Sequence, residues 1–251
     1  VLENFGAGQV VKMGFDRVDN LYVLKDDGNL EVFVKSKRGY RKRNTSFDFT
    51  ADNFFFVNNK IFVTAKNREL HVLDQYFLAR KIAILPQQVR AMAFYENHYI
   101  FAWSSKGFGE YGTSLQPVSL IARKFPLLNN VRIASVSVSR ENILWFGTDG
   151  SGVVKVGRKN DKLNVVQSLS NGQPLNIPIR AFSNVDNQLW VGTKGSGIIA
   201  ISNLGKANES FSTMNTFYAG VDLLDNCVYA IEKGKDGLIY IGSDAPGVTI
   251  Y

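Results

Sequence analysis

Cysteine is nearly absent from this chain. Cys227 is the only one in 251 residues, which excludes an intrachain disulfide and any disulfide-stapled scaffold while fitting any redox compartment. Histidine is almost as scarce. His71 and His98 lie far apart, each within or beside a strand-like segment, so the sequence offers no metal-ligand set, and neither a metal nor a cofactor is expected. No stretch approaches the roughly 20 apolar residues of a membrane helix. The Gly-x-Gly pairs lie between two strand-like runs, whereas a phosphate-binding loop opens a helix. No nucleophile-elbow motif occurs, and no helical period with caps is sustained anywhere. Carboxylate pairs for glycoside hydrolysis would have to converge in space from separate turns, so no catalytic residue is expected. The chain starts at Val1 rather than Met, as a processed or trimmed chain would, and a removed signal peptide or a downstream membrane segment fits that start equally well.

What is present is repetition. LWFGTDGSG at Leu144–Gly152 returns as LWVGTKGSG at Leu189–Gly197 and as IYIGSDAPG at Ile239–Gly247. Each copy is an apolar strand, a Gly-centred turn and a second apolar strand, the signature of a repeat architecture. Aligning the strand before the turn extends the series through Tyr22, Phe62, Phe101, Trp145, Trp190 and Tyr240, with steps of 40, 39, 44, 45 and 50 residues. That period suits four-stranded propeller blades. The fourth unit reads as strands over Ile133–Ser139, Ile143–Thr148, Gly152–Val156 and Leu163–Leu169, rich in Val, Ile and Leu and divided by Gly, Asn and Asp.

The expected fold is therefore an all-β propeller in one domain spanning residues 1–251, a length and a 45% hydrophobic content sufficient for a single core. The last unit stops after its third strand at Tyr251, and VLENFGAGQ at the N-terminus resembles the fourth-strand segment VVQSLSNGQ at Val165–Gln173. Val1–Phe5 is thus expected to supply the outer strand of the last blade and close a six-bladed ring, which removes the open edges. The alternative is part of a seven-bladed ring.

The recurring aromatics and glycines read as blade core: aromatics with a polar edge suit half-wet interiors, and a strand glycine marks a bulge or a close backbone approach. A second recurrence lies ten to thirteen residues before each aligned aromatic, at Lys12, Asp52, Arg90, Arg132, Arg180 and Tyr229. In a propeller the first strand lines the channel, so these side chains are expected to form a ring near one mouth. Four of them are cationic. The turns between second and third strands open on the same face and add Lys106, Asp149, Lys194 and Asp244. Two readings stand side by side. Arginines paired with turn aspartates tie blades together, although exposed pairs contribute only about 0–1 kcal/mol. Converging guanidiniums also suit a carboxylate or sulfate, whose geometry the planar fork matches. Lys12, Arg90, Arg132, Arg180 and Tyr229, with Lys106, Asp149, Lys194 and Asp244, are the candidate ligand-binding residues.

The formal charge is +7, from 29 Lys+Arg against 22 Asp+Glu, which suits an acidic partner. The densest basic run, KSKRGYRKR at Lys35–Arg43, falls at the third-to-fourth-strand turn of the first unit, on the opposite face. A solvated, aggregation-resistant edge accounts for it, so no nucleic-acid partner is expected.

RAFSNVDNQLWVGTKGSGI (Arg180–Ile198) and VYAIEKGKDGLIYIGSDAPGVTIY (Val228–Tyr251) closely resemble the two-component regulator propeller repeat, a strand followed by a D-G-x-L/I-W-I/V-G-T strand and a G-G/S-G-I turn. The resemblance is strong over Val131–Tyr251, moderate over Arg90–Tyr111 and faint before that, where Leu24-Lys25 and Thr64-Ala65 replace the Gly-Thr pair. It implies the periplasmic sensor region of a hybrid two-component receptor of the kind found in gut Bacteroidetes, which binds an oligosaccharide and passes the signal to an intracellular kinase beyond a membrane helix. By that resemblance this chain itself is non-catalytic, touches the membrane only through a segment outside it, and dimerises within the full-length receptor. The basic ring adds that the oligosaccharide is anionic. A protein-interaction scaffold and, third, a propeller lyase or hydrolase are the alternatives.

Overall fold

In a computed structural model, residues 8–140, 142–156, 163–166, 176–202, 214–217 and 219–251 are described. The chain forms two compact units, residues 1–89 and 90–251.

The first unit holds two antiparallel sheets. β1 (Val10–Phe15), β2 (Leu21–Lys25), β3 (Leu30–Ser36) and β4 (Gly39–Arg43) pair in sequence order. So do β5 (Ala51–Val57), β6 (Lys60–Ala65), β7 (Glu69–Leu73) and β8 (Ala79–Ile84). Period-2 alternation gives each sheet two usable faces. Tyr22, Leu24, Leu30 and Val32 on one face of the first sheet pack against Phe54, Val63 and Leu73 of the second.

The second unit continues the pattern. β9 (Val89–Tyr95), β10 (His98–Trp103), β11 (Phe108–Gly112) and the two-residue β12 (Pro117–Val118) form the third sheet. The five-residue helix α1 (Leu120–Lys124) and a 3₁₀ turn (Pro126–Asn130) follow. The helix is a departure from the all-strand expectation. It carries no periodic signature because it is a single turn, and the buried Glu110 carboxylate anchors it by accepting the Ile121 N–H at 2.9 Å. The fourth sheet is β13 (Ile133–Val138), β14 (Leu144–Thr148), β15 (Val153–Val156) and β16 (Leu163–Val166). The fifth is β17 (Ile179–Val185), β18 (Gln188–Thr193), β19 (Ile198–Ile201) and β20 (Met214–Phe217). The sixth has three strands, β21 (Val228–Lys233), β22 (Ile239–Ser243) and β23 (Val248–Ile250). Six small antiparallel sheets in sequence order are consistent with propeller blades. The segment Val1–Phe5, expected to close the ring, lies outside the described residues.

Within this unit, successive sheets stack face to face. Ile100, Ala102 and Phe108 of the third sheet meet Ile133, Leu144, Phe146 and Val154 of the fourth. Trp145 and Val153 then meet Ile179, Val191 and Ile199. Trp190, Ile198 and Ala200 meet Val228, Ile231 and Ile241. The repeated glycines sit where the next sheet presses in. A Cβ on Gly192 would lie 2.9 Å from Val228 Cγ1, and one on Gly147 would crowd Ile179. Around Gly242, in the last sheet, no described residue approaches closer than its own sheet's Ala230 at 3.6 Å, and that face exposes Val248 (54%) and Ile250 (58%).

The strand pairing corrects one aligned position. Gly147 and Gly192 pair with Val153 and Ile198 at the end of their hairpins, and in the third sheet that place is taken by Ala102, paired with Phe108. The counterpart of Trp145 and Trp190 is therefore Ile100 rather than Phe101. A one-residue slip moves a side chain to the opposite face, and Phe101 instead stacks on Trp103 at 6.1 Å with Tyr111 edge-on at 5.2 Å.

The motif's threonines have a specific task. Thr148 Oγ1 donates to the Gly152 carbonyl at 2.6 Å and accepts the Ser151 N–H at 2.9 Å. Thr193 does the same with Gly197 (2.8 Å) and Ser196 (3.0 Å). In the third copy Pro246 stands where Ser151 and Ser196 stand and has no N–H to give. Ser243 Oγ is accordingly buried with no hydrogen-bond partner among the described residues. In the first sheet Lys25 takes the threonine's place and makes a buried ion pair with Glu31 at 3.0 Å.

Candidate functional site: a guanidinium cluster around Asp149

Each first strand whose register is defined carries one extra residue near its start. The bulge falls at Val11 in β1, Asp52 in β5, Ala134 in β13, Arg180 in β17 and Tyr229 in β21. A bulge bends the strand and re-aims the side chain it carries. Arg180, Tyr229 and Asp52 therefore share one structural position. Lys12 falls one residue after it and Arg132 two residues before it, so those two are not equivalent to the others.

The turns between second and third strands come back to the same end. The Asp149 N–H donates to the Arg132 carbonyl at 2.8 Å, Lys194 to Pro178 at 2.9 Å and Asp244 to Cys227 at 3.2 Å. Turn and strand start are thus hydrogen-bonded together, which delivers turn side chains to the first strand's charged residues.

In the second unit this brings two guanidiniums to one carboxylate, with a third close enough to act on them electrostatically. Arg132 Nη1 lies 3.7 Å from Asp149 Oδ2, and Arg180 Nη2 lies 3.9 Å from Asp149 Oδ1. Both are ion pairs too long for hydrogen bonds. Arg90 completes the group. Burial first, and then the charges of Arg132 and Arg180, push its guanidinium below the ordinary value, with Asp149 opposing. Arg132 is 55% exposed, whereas Arg180 (24%) and Asp149 (19%) are largely enclosed. Arg180 Nε is buried with no hydrogen-bond partner among the described residues. Arg132 and Arg180 against Asp149 leave a formal surplus of one positive charge among these three groups. Such a surplus is unfavourable in a partly dehydrated place unless an anion joins it.

Tyr229 borders the cluster, and Arg180 acts on its phenol. Burial raises the Tyr229 pKa, as does its hydrogen bond to Asp244 Oδ2 at 3.2 Å, while Arg180 pulls the other way. Beyond it Asp225, Cys227 and Asp244 bring ligand-type atoms within 4.8 Å of one another. Burial, then Asp225 and Asp244, raises the Cys227 thiol. Asp225 and Cys227 are not among the candidate site residues of the sequence, although Cys227 occupies the place before its bulge that Arg132 holds before Ala134. Lys194 and Lys106 are exposed in their turns, and the Lys106 turn is tied by the Gly107 N–H to the Val131 carbonyl at 2.9 Å, beside Arg132.

Lys12 belongs to the first unit and has partners there. Its ammonium donates to Asn53 Oδ1 and to the Phe54 carbonyl, both at 2.6 Å, and lies over the Phe54 and Phe55 rings at 4.9 and 4.5 Å. Burial pushes it down to about 8. It joins the first sheet to the second. The basic run forms β3's end and β4. Lys35 pairs with Asp19, Lys42 with Glu31, and Tyr40 packs on Phe15 at 6.1 Å, so its ring is engaged in the sheet.

No protein-family model matches the sequence, and no curated protein matches it significantly. Solved structures do. The extracellular domain of BT4673 from B. thetaiotaomicron, assigned to a hybrid two-component system, superposes at a TM-score of 0.65 with 15% identity, covering 99% of this chain and 38% of that one. The extracellular domain of BT3049, assigned likewise in the same organism, gives 0.54 and 15% over 96% of this chain and 38% of its own. PorZ, a surface component of the type-IX secretion system of Porphyromonas gingivalis, gives 0.65 and 16% over 98% and 39%. The chain thus spans about two fifths of each. At these identities the likeness is one of fold: over nearly its whole length the chain has the fold found in extracellular domains of Bacteroides hybrid two-component systems.

Proposed function

We propose that this chain is the ligand-binding part of a periplasmic sensor in a two-component receptor and that it takes an anionic oligosaccharide. The observation that carries the reading is the pairing of Arg132 and Arg180 with a single carboxylate, Asp149, with Arg90 within electrostatic reach of all three. Loose ion pairs at 3.7 and 3.9 Å contribute little to stability. The same guanidiniums can instead give bidentate, charge-assisted hydrogen bonds to a carboxylate or sulfate. Tyr229, Lys106, Lys194 and Asp244 flank this point and would contact the rest of the sugar. Lys12, already hydrogen-bonded within its own unit, is left out of the proposal.

The chain's part is binding rather than chemistry. Kinase activity would belong to an intracellular region outside it. The bound ligand would bias the receptor toward the arrangement it prefers, in a dimer formed by the full-length receptor. The fold proposed to support this is a six-bladed propeller closed by Val1–Phe5 on the open edge of β23, with part of a seven-bladed ring as the alternative. Fold likeness to extracellular sensor domains supports the cellular setting.

The test is a calorimetric titration with acidic and neutral oligosaccharides of equal length. Binding of the acidic series alone, weakening with salt as a charged contact should, is the expected result. Equal binding of both series would overturn the anion reading. The exposed face of the last sheet, with Val248 and Ile250, favours a second reading as a protein-interaction scaffold. In that case a partner protein binds while no oligosaccharide does.

A further inference from the structure

Asp149 is an unusual residue to find among three arginines, because the fold does not require it. Its turn is fixed by the main chain, through the N–H to Arg132 O at 2.8 Å and a bridge to Pro178. The same turn position carries Asp26 and Asp244 but also Lys66 and Lys194 in other sheets, with the same backbone hydrogen bond (Asp26 N–H to Gln9 O at 2.9 Å, Asp244 N–H to Cys227 O at 3.2 Å, Lys66 N–H to Thr50 O and Lys194 N–H to Pro178 O both at 2.9 Å). By strand register Ser104 stands there in the third sheet. Asp, Lys and Ser are thus all compatible with the turn. A carboxylate here also weakens the attraction of the cluster for any anion.

The carboxylate is also underused. Arg132 and Arg180 come no closer to it than 3.7 Å, and no described residue donates a hydrogen bond to its oxygens, although it is largely enclosed. A carboxylate of this kind keeps its acceptor capacity available, about four lone-pair sites. A ligand that brought only a negative charge would be repelled by it. One that brought a hydroxyl beside its acid group would satisfy it.

We infer that Asp149 is a specificity-determining residue that accepts a hydrogen bond from a ligand hydroxyl while Arg90, Arg132 and Arg180 hold the adjacent acid group. The site then selects a hydroxy acid, with a sugar carboxylate as the fitting chemistry, over a bare anion of the same charge. This rests on the anion-binding reading and sharpens it. A site built around a hydrogen-bonding group rejects the analogue that lacks the partner, because the buried polar atom is left unpaired.

The experiment compares glucuronate with cyclohexanecarboxylate, which has the same charge and ring size but no hydroxyls, by NMR titration of the full chain and of Asp149→Asn. In the wild type glucuronate binds about tenfold tighter or more. In Asp149→Asn cyclohexanecarboxylate binds tighter than before, because a repelling charge has gone, and the ratio of the two affinities falls about tenfold. Asp149→Ser, the residue of the third sheet, gives the same change should the Asn variant not fold. Equal affinity of the two acids for the wild type, or an unchanged ratio in both variants, overturns the inference while leaving the anion reading standing. Absence of binding by either acid to the wild type and of any effect of the arginines overturns both.

Discussion

Removing the hydroxyl from Thr148 or Thr193 while keeping the side chain's shape isolates what the repeated motif contributes. Thr148→Val and Thr193→Val each delete one donor and one acceptor from a fully buried side chain at the start of a turn. The Gly152 and Gly197 carbonyls stay satisfied, since the Thr148 and Thr193 main-chain N–H groups still reach them at 3.1 and 3.0 Å. The Ser151 and Ser196 N–H groups lose their only acceptors among the described residues. A net hydrogen bond contributes about 1 kcal/mol and an orphaned, partly buried donor costs about 1–3 kcal/mol. Each variant should therefore lose roughly 1.5–3 kcal/mol. For a protein of this size that corresponds to about 3–12 °C in Tm, at roughly 2–4 °C per kcal/mol. Ser243→Ala is the built-in control, because Ser243 Oγ has no partner to lose among the described residues. It should cost less than about 0.5 kcal/mol, or stabilise slightly. Thermal and urea melts of the three variants decide the matter. If Ser243→Ala is as damaging as the two valine variants, the motif's threonines do not act through these hydrogen bonds.

Two further perturbations probe other features. Lys12 has a folded pKa of about 8 against an unfolded value of about 10.5, so the unfolded chain holds more protons between those values and stability rises with pH across that window. Wild type should gain on the order of 2–3 kcal/mol relative to Lys12→Met between pH 7.5 and 10.5, read from urea midpoints; a flat difference refutes it. Gly197 has φ +66°, and a Cβ there would run into the Phe217 carbonyl oxygen. Gly197→Ala should cost about 2–4 kcal/mol, whereas Gly195→Ala, at φ +103° with nothing within 4 Å, pays only for its backbone strain and melts closer to wild type.

Most of the architecture was legible because strand periodicity is a local property. The first three strands expected for the fourth unit match β13 to β15 within one residue at every end, the fourth begins with β16 at Leu163, and its expected end at residues 167–169 lies outside the described residues. The aromatics Tyr22, Phe62, Trp145 and Trp190 are buried at one shared position, as packing residues should be. Phe101 was assigned one residue off because the segment YIFAW is apolar at every position, which leaves the register undetermined until the hairpin pairing sets it. The candidate site was legible only in part. Arg90, Arg132, Arg180 and Asp149 were each marked by their place before or after a repeat. The meeting of Arg132, Arg180 and Asp149 depends on the bulges at Ala134 and Arg180, and those two residues share no chemistry a sequence could advertise. Counting residues back from the aromatic therefore grouped Lys12 with the arginines, although its hydrogen bonds are to Asn53 and Phe54.

The most direct measurement is the affinity of Arg90→Ala/Arg132→Ala/Arg180→Ala for an acidic oligosaccharide, beside the wild type and with melts to confirm folding. Charge-assisted hydrogen bonds contribute about 1.5–3 kcal/mol each, so the triple variant should bind at least about a hundredfold more weakly, some 2.7 kcal/mol. A folded triple variant that binds as tightly as the wild type would contradict the assignment of ligand binding to this cluster.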